Sequence, residues 1–273
     1  NKPSGGIKII YRHVEILSKL LPKEDSAKIF HFEDFNFKCN WFSHNANFKK
    51  NSTFDPLKEF VIIPEWMAVY HAKILQKDAI SYGIFVQNGF YLNTRPKNNF
   101  SDEEIKEAYE KSKVIISYSS EITECIKLTF PKLAEKILRI NISVDNNKFH
   151  CTEEIFKNKE NLITYMPRKK NDHAKKLLFI LKQHIPSDWA VKSIDNLKEP
   201  EVIKSLQKSK LFLSFSDLEG FGLPPVEAAL CGNLVVGYTG ESGKEYWETP
   251  IFDEVFSGDL RTFVTKVANK VNN

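Results

Sequence analysis

Short apolar runs of strand length alternate along the chain with longer stretches whose apolar residues recur every three to four positions. The first such stretch carries Ile7, Ile10, Val14, Leu17 and Leu21, with Lys8, Arg12, Glu15 and Lys19 mostly on other faces, and predicts an amphipathic helix just after the pair Gly5-Gly6. Strand-like runs follow at 28–32, 60–63, 80–86, 114–118 and 137–142, with helical patterns at 65–76, 102–111 and 120–129 between them. Ser101-Asp102-Glu103-Glu104 reads as a capping box ahead of one of these helices. A second series places strands at 162–166, 189–193, 211–215 and 234–238 and helices at 172–184, 200–208, 224–230 and 260–271. Such alternation predicts parallel sheets with right-handed crossovers, an α/β chain of two Rossmann-like halves. The stretch 34–56, rich in Asn, Phe and Lys, breaks the pattern and is expected to be a long functional loop.

Composition narrows the class. The 273 residues can bury a large core and suit two domains better than one. No apolar run reaches membrane-span length and the N-terminus lacks a signal pattern, so a soluble, cytoplasmic protein is expected. The four cysteines, Cys39, Cys125, Cys151 and Cys231, lack the spacing of a zinc site or a disulfide framework. Residues 1–149 hold 22 Lys plus Arg against 18 Asp plus Glu, and residues 150–273 hold 17 against 17, so the net charge of +4 lies in the first half. A solvated lysine-rich face is the favoured reading, with peripheral contact to an anionic membrane face as the alternative. A nucleic-acid partner is not expected, because no basic stripe with interleaved aromatics is present.

The densest chemical signal is 216–229, Ser-Asp-Leu-Glu-Gly-Phe-Gly-Leu-Pro-Pro-Val-Glu-Ala-Ala. An apolar strand precedes it, and Pro224 and Pro225 suit a helix's first turn, where a missing N–H costs nothing. The order strand, glycine turn, helix belongs at the carboxyl end of a sheet, where ligands bind and a helix N-terminus offers N–H groups to anions. Glu219 is expected in the turn and Glu227 within the first helical turn, both acceptors for sugar or ribose hydroxyls. Arg168, Lys169 and Lys170 follow the strand at 162–166, with Lys175 and Lys176 one to two helical turns on, a source of positive charge for phosphates.

This string resembles the E-x7-E signature of retaining GT-B glycosyltransferases of family 4, the group 1 glycosyltransferases, matching its spacing, its Phe-Gly and its Glu-Ala. The resemblance implies a GT-B fold, two Rossmann-like domains with parallel sheets facing across a cleft. Residues 1–148 would form the acceptor-side domain and 149–273 the nucleotide-sugar domain. The segment Ile140 to Phe149 resembles the family's interdomain segment, with Ile142-Ser143 replacing its usual Asn-Gly. Family members have a strand just ahead of the glycine pair, so the chain is expected to begin after that strand.

The activity implied is a metal-independent hexosyltransferase in cell-surface polysaccharide synthesis. It would move a sugar with retention from a nucleoside-diphosphate sugar to a glycan or lipid-linked acceptor. Glu219, Arg168 and Lys175 would be catalytic; Gly5, Gly6, Lys169, Phe221, Gly222, Leu223 and Glu227 would bind the donor. Gln87 stands on the acceptor side where many relatives have a histidine, and glutamine is no general base near neutral pH. Glu65 and Trp66, at another strand end, could face the acceptor, although Trp66 is expected to pack; the loop 239–245 could border the donor. No cofactor or metal is expected, since Asp-x-Asp is absent. A GT-B epimerase and a catalytically idle glycan-binding relative are the alternatives.

Overall fold

The computed structural model describes residues 4–32, 37, 39–93 and 100–272. It divides into two compact units, 1–143 and 144–273, the division falling inside the segment Ile140 to Phe149.

The first unit begins with α1 (Gly5–Leu20), whose first two residues are the glycine pair that the spacing puts just ahead of the helix. Then come β1 (Phe60–Pro64), α2 (Ala68–Lys77), β2 (Ser81–Phe85), α3 (Asp102–Lys111), β3 (Ile115–Ser117), α4 (Ser120–Thr129) and β4 (Ile137–Arg139). The strands form one parallel sheet in the order β1-β2-β3-β4. Ile63, Ile84 and Ile115, one from each of three adjacent strands, are wholly buried. Burying such a side chain stabilises by about 1.5–3 kcal/mol. The capping box is formed: the Ser101 side chain accepts the Glu104 N–H while the Glu104 side chain accepts the Ser101 N–H.

The strand expected at 28–32 is absent, apart from a single bridge between Ile29 and Phe48. Its apolar alternation serves a different purpose. Ile29 is buried with Tyr11 and Phe42, and Phe30 packs against Phe32 and Phe54, so these side chains build an aromatic cluster instead of one face of a sheet. Of the stretch 34–56, residues 34–36 and 38 lie outside the described residues.

The second unit runs α5 (Glu153–Lys157), β5 (Glu160–Tyr165), α6 (Asn171–Leu181), β6 (Ala190–Ser193), α7 (Glu199–Lys208), β7 (Ser209–Phe215), α8 (Leu223–Leu230), β8 (Leu234–Tyr238), β9 (Phe252–Glu254) and α9 (Leu260–Asn272). Its parallel sheet has the order β6-β5-β7-β8-β9. Successive side chains of β7 feed opposite layers, as the pleat requires: Leu211, Leu213 and Phe215 join Leu177 and Phe263, while Phe212 joins Leu206 and Ala228. Helices therefore cover both faces. The chain leaves β5 in one direction to make β6 and returns to its other side to make β7, so the strand order reverses between β5 and β7. At such a reversal the loops leaving the two strands diverge and open a crevice.

Candidate functional site

The crevice of the second unit is flanked by 166–170, which leave β5, and 216–222, which leave β7. Two ion pairs join these loops. Lys169 Nζ stands 2.5 Å from Glu219 Oε1, and Lys170 Nζ stands 3.1 Å from Asp217 Oδ1. Lys170 caps α6 with φ of +47°, a left-handed conformation that a lysine adopts at a cost. The turn ends at Gly222, which caps α8 with φ of +81°. A Cβ there would lie 3.1 Å from the Tyr246 hydroxyl, so glycine suits both the backbone angle and the space.

A third loop, which follows β8, backs the turn. The Glu219 N–H donates to the Gly240 carbonyl at 3.0 Å, and the Ser242 hydroxyl donates to the Glu219 carbonyl at 2.6 Å. Between them Glu241 sits at φ +67° and ψ −66°, the centre of a γ-turn closed by the Ser242 N–H on the Gly240 carbonyl at 2.9 Å. This is a strained geometry for a residue with a side chain. The Tyr246 hydroxyl reaches the carbonyls of Phe221 and Gly222, both at 2.9 Å, and its ring packs against Phe221 at 4.9 Å. Burial chiefly, with the Glu219 charge adding, pushes the Tyr246 hydroxyl well above its ordinary pKa, so it stays a neutral donor.

The candidates of this unit are thus distributed unevenly. Glu219 and Lys169 are in contact, and Phe221, Gly222 and Leu223 line the same turn and helix start. Arg168 is exposed one residue before Lys169. Lys175 is exposed on α6, and no ion pair ties it to the glutamate turn. Glu227 is buried, 7% exposed, in the second turn of α8 and not the first, because the helix begins at Leu223, one residue earlier than the prolines suggest. Ser242 falls within the loop 239–245 that the sequence already marked, whereas Tyr246, one residue beyond it, escapes sequence reading because no spacing signals it.

In the first unit the carboxyl ends of the strands gather a second polar group. The Gln87 side-chain amide donates to the Gly6 carbonyl at 2.8 Å, so Gln87 is engaged in holding the start of α1. The Gln87 N–H donates to Glu65 Oε2 at 3.0 Å, and the Tyr118 hydroxyl donates to the Gln87 carbonyl. Glu65 is buried at 5% exposure. Trp66, expected to pack, is 44% exposed. Among the described residues no group of three or more His, Cys, Asp or Glu side chains is placed to hold a metal ion, and no helix is long and apolar enough to cross a membrane.

No protein-family model matches the sequence, and no curated protein matches it. Solved structures do match its fold. Sucrose-phosphate synthase from Thermosynechococcus elongatus aligns over 78% of this chain and 64% of its own, at 14% identity and a TM-score of 0.59. HepE of Anabaena, in complex with UDP and glucose, aligns over 77% of this chain and 67% of its own, at 14% identity and a TM-score of 0.57. The catalytic domain of starch synthase IV from Arabidopsis thaliana, bound to ADP and acarbose, aligns over 79% of this chain and 66% of its own, at 12% identity and a TM-score of 0.54. This chain therefore spans about two thirds of the length of each. The shared architecture is the GT-B fold of glycosyltransferases, with two parallel α/β sheets.

Proposed function

From that fold and the charged crevice of the second unit, we propose that the protein is a retaining glycosyltransferase. It takes a nucleoside-diphosphate sugar and passes the sugar to a glycan or lipid-linked acceptor, in the synthesis of a surface polysaccharide. The observation that carries the reading is the contact between Lys169 and Glu219 at the reversal of strand order. It brings a phosphate-binding cation and a hydroxyl-binding carboxylate together where a doubly wound sheet takes its ligands.

Departure of a nucleoside diphosphate builds negative charge on the leaving oxygens, and preorganised cations lower that barrier. Arg168 and Lys169 supply the charge here, so the reading needs no metal. The pair is partly exposed, at 33% and 23%, and such pairs contribute only about 0–1 kcal/mol. A diphosphate can therefore draw Lys169 away and leave the Glu219 carboxylate to accept sugar hydroxyls. The N–H groups of Phe221, Gly222 and Leu223 add donors at the start of α8. Lys169 takes the role that the family resemblance gives to Lys175, because Lys169 is the lysine in contact with Glu219. Glu227 is assigned to the ribose. Gly5 and Gly6, the first residues of α1, are assigned to donor binding, and Gln87, just past the end of β2, to the acceptor side. Retention rests on the E-x7-E pattern, with a donor phosphate oxygen accepting the acceptor's proton in place of an enzyme base. Soluble, cytoplasmic placement with peripheral contact to the membrane face accords with the charge surplus of the first half.

The test is a thermal-shift panel of UDP-, GDP- and dTDP-sugars, followed by transfer assays on wild type and Glu219→Ala. A ligand at 100 times its Kd stabilises by about 2.7 kcal/mol. Glu219→Ala is expected to keep the wild-type unfolding transition and lose at least hundredfold in turnover. Unchanged turnover would refute the assignment.

A further inference from the structure

β6 is an edge of the second unit's sheet, where β5 is its neighbour, and all four of its residues are exposed. Beside it lies an open groove of about 380 Å³ that the proposed reaction does not use. Lys192 of β6, Leu197 of the connection to α7, and Glu201, Lys204, Ser205 and Lys208 of α7 line it. The four α7 residues recur at helical spacing and form one stripe of that helix. Lys192 shares the strand face of Ile194, which packs with Leu206 of α7, so it stands on the α7 side of the sheet. Since α7 packs chiefly on β5 and β7, the space over β6 is left open toward the outer edge.

Charge in the groove is one-sided. Among the described residues no ion pair engages Lys192 or Lys204, both exposed, while Lys208 Nζ stands 2.5 Å from Glu160 Oε1. The acid in the lining, Glu201, serves the helix start, where its carboxylate accepts the Lys198 N–H at 3.0 Å. The strand edge is open in a regular way. Ile194 donates its N–H to the Tyr165 carbonyl at 2.7 Å, so alternate residues face β5 and the N–H and C=O groups of Val191 and Ser193 point away from the sheet.

An open edge invites pairing, and its neighbours decide with what. A second copy meeting β6 with β6 would bring two Lys192 side chains together, and like charges across a strand pair destabilise. An anionic lipid headgroup accepts the outward N–H groups but offers no donors at the strand repeat for the outward carbonyls. A peptide strand supplies both, at the same spacing of about 6.6–6.8 Å per two residues. We propose that the groove beside β6 is a docking site for an acidic, extended segment of a partner protein. The segment adds to the β6 edge through backbone hydrogen bonds and sets carboxylates against Lys192, Lys204 and Lys208. This surface has no assigned part in sugar transfer.

The probe is a short fluorescent peptide of alternating glutamate and valine, titrated onto the full chain and followed by anisotropy. Micromolar binding is expected, weakened at least tenfold by Lys192→Glu, by Lys204→Glu, and by N-methylation of the peptide, which keeps its charge and removes its N–H groups. Both lysines are exposed, so the variants are expected to keep the wild-type urea midpoint and nucleotide-sugar thermal shift. With saturating peptide, hydrogen exchange of the Val191 and Ser193 amides is expected to slow at least tenfold, while the Ile194 amide, already bonded to β5, is unchanged. Absence of binding at millimolar peptide overturns the inference, as does equal binding by a lysine-valine peptide or by the N-methylated one. Phosphatidylserine vesicles that bind the wild type but not the two variants, with a peptide that leaves the Val191 and Ser193 amides unprotected, also overturn it and assign the lysines to a membrane surface.

Discussion

Replacing Gly240 by alanine tests the claim that the loop after β8 holds the glutamate turn in place. Gly240 has φ of +69°, and a Cβ on it would meet the Asp217 carbonyl oxygen at 2.5 Å, the Glu219 Cγ at 2.9 Å and the Ser216 Cβ at 2.9 Å. All three belong to the turn, and one is backbone, which cannot rotate away. Left-handed backbone costs a non-glycine residue about 1–2 kcal/mol. Overpacking of this severity adds about 1–3 kcal/mol. The expected loss is therefore roughly 2–5 kcal/mol, or a fall in Tm of several degrees or more. Gly258→Ala is the control, because Gly258 has φ of +95° and nothing within 4 Å of the added carbon. It should lose only the backbone part, about 1–2 kcal/mol. Urea unfolding of both variants, with nucleotide-sugar thermal shifts alongside, makes the comparison. Equal losses in the two variants would mean that the turn gives way at no cost and would refute the close-approach argument.

Two further outcomes are expected. Tyr246→Phe removes the hydroxyl that serves the Phe221 and Gly222 carbonyls and should destabilise by about 1–2 kcal/mol, read as a lowered urea midpoint at constant m; an unmoved midpoint would show that water satisfies those carbonyls. Glu65 has a folded pKa of about 7 against an ordinary 4.5, so the folded state binds more protons in that window and stability falls as pH rises through it. The fall is about 3 kcal/mol at its fullest, from 1.36 kcal/mol per unit. Urea titrations from pH 4.5 to 7.5 should show the slope in wild type and a flatter profile in Glu65→Gln, and parallel profiles would count against the burial argument.

Much of the fold is legible in the pattern of apolar positions, because a buried parallel strand and an amphipathic helix each impose a period that local sequence must satisfy. The exception at 28–32 is instructive. Alternating Ile29 and Phe30 satisfy the strand period, yet their partners are the aromatic side chains of a loop, and period alone cannot tell a sheet face from such a cluster. The glutamate turn was legible for the same reason as the strands. Its glycines, prolines and acceptors lie within one short string, Ser216 to Ala229.

What the sequence by itself determined is therefore what neighbouring residues enforce on one another: the alternation of strands and helices, the cap at Ser101, the turn at Gly222. The tertiary structure alone decided which distant groups meet. The family resemblance pointed to Lys175, whereas the lysine that meets Glu219 is Lys169, beside the left-handed Lys170. No local rule foretold that Tyr246 would serve Phe221 and Gly222, or that Glu65 would accept from Gln87, 22 positions away. Those contacts follow from strand order, and strand order is set by the packing of the whole sheet.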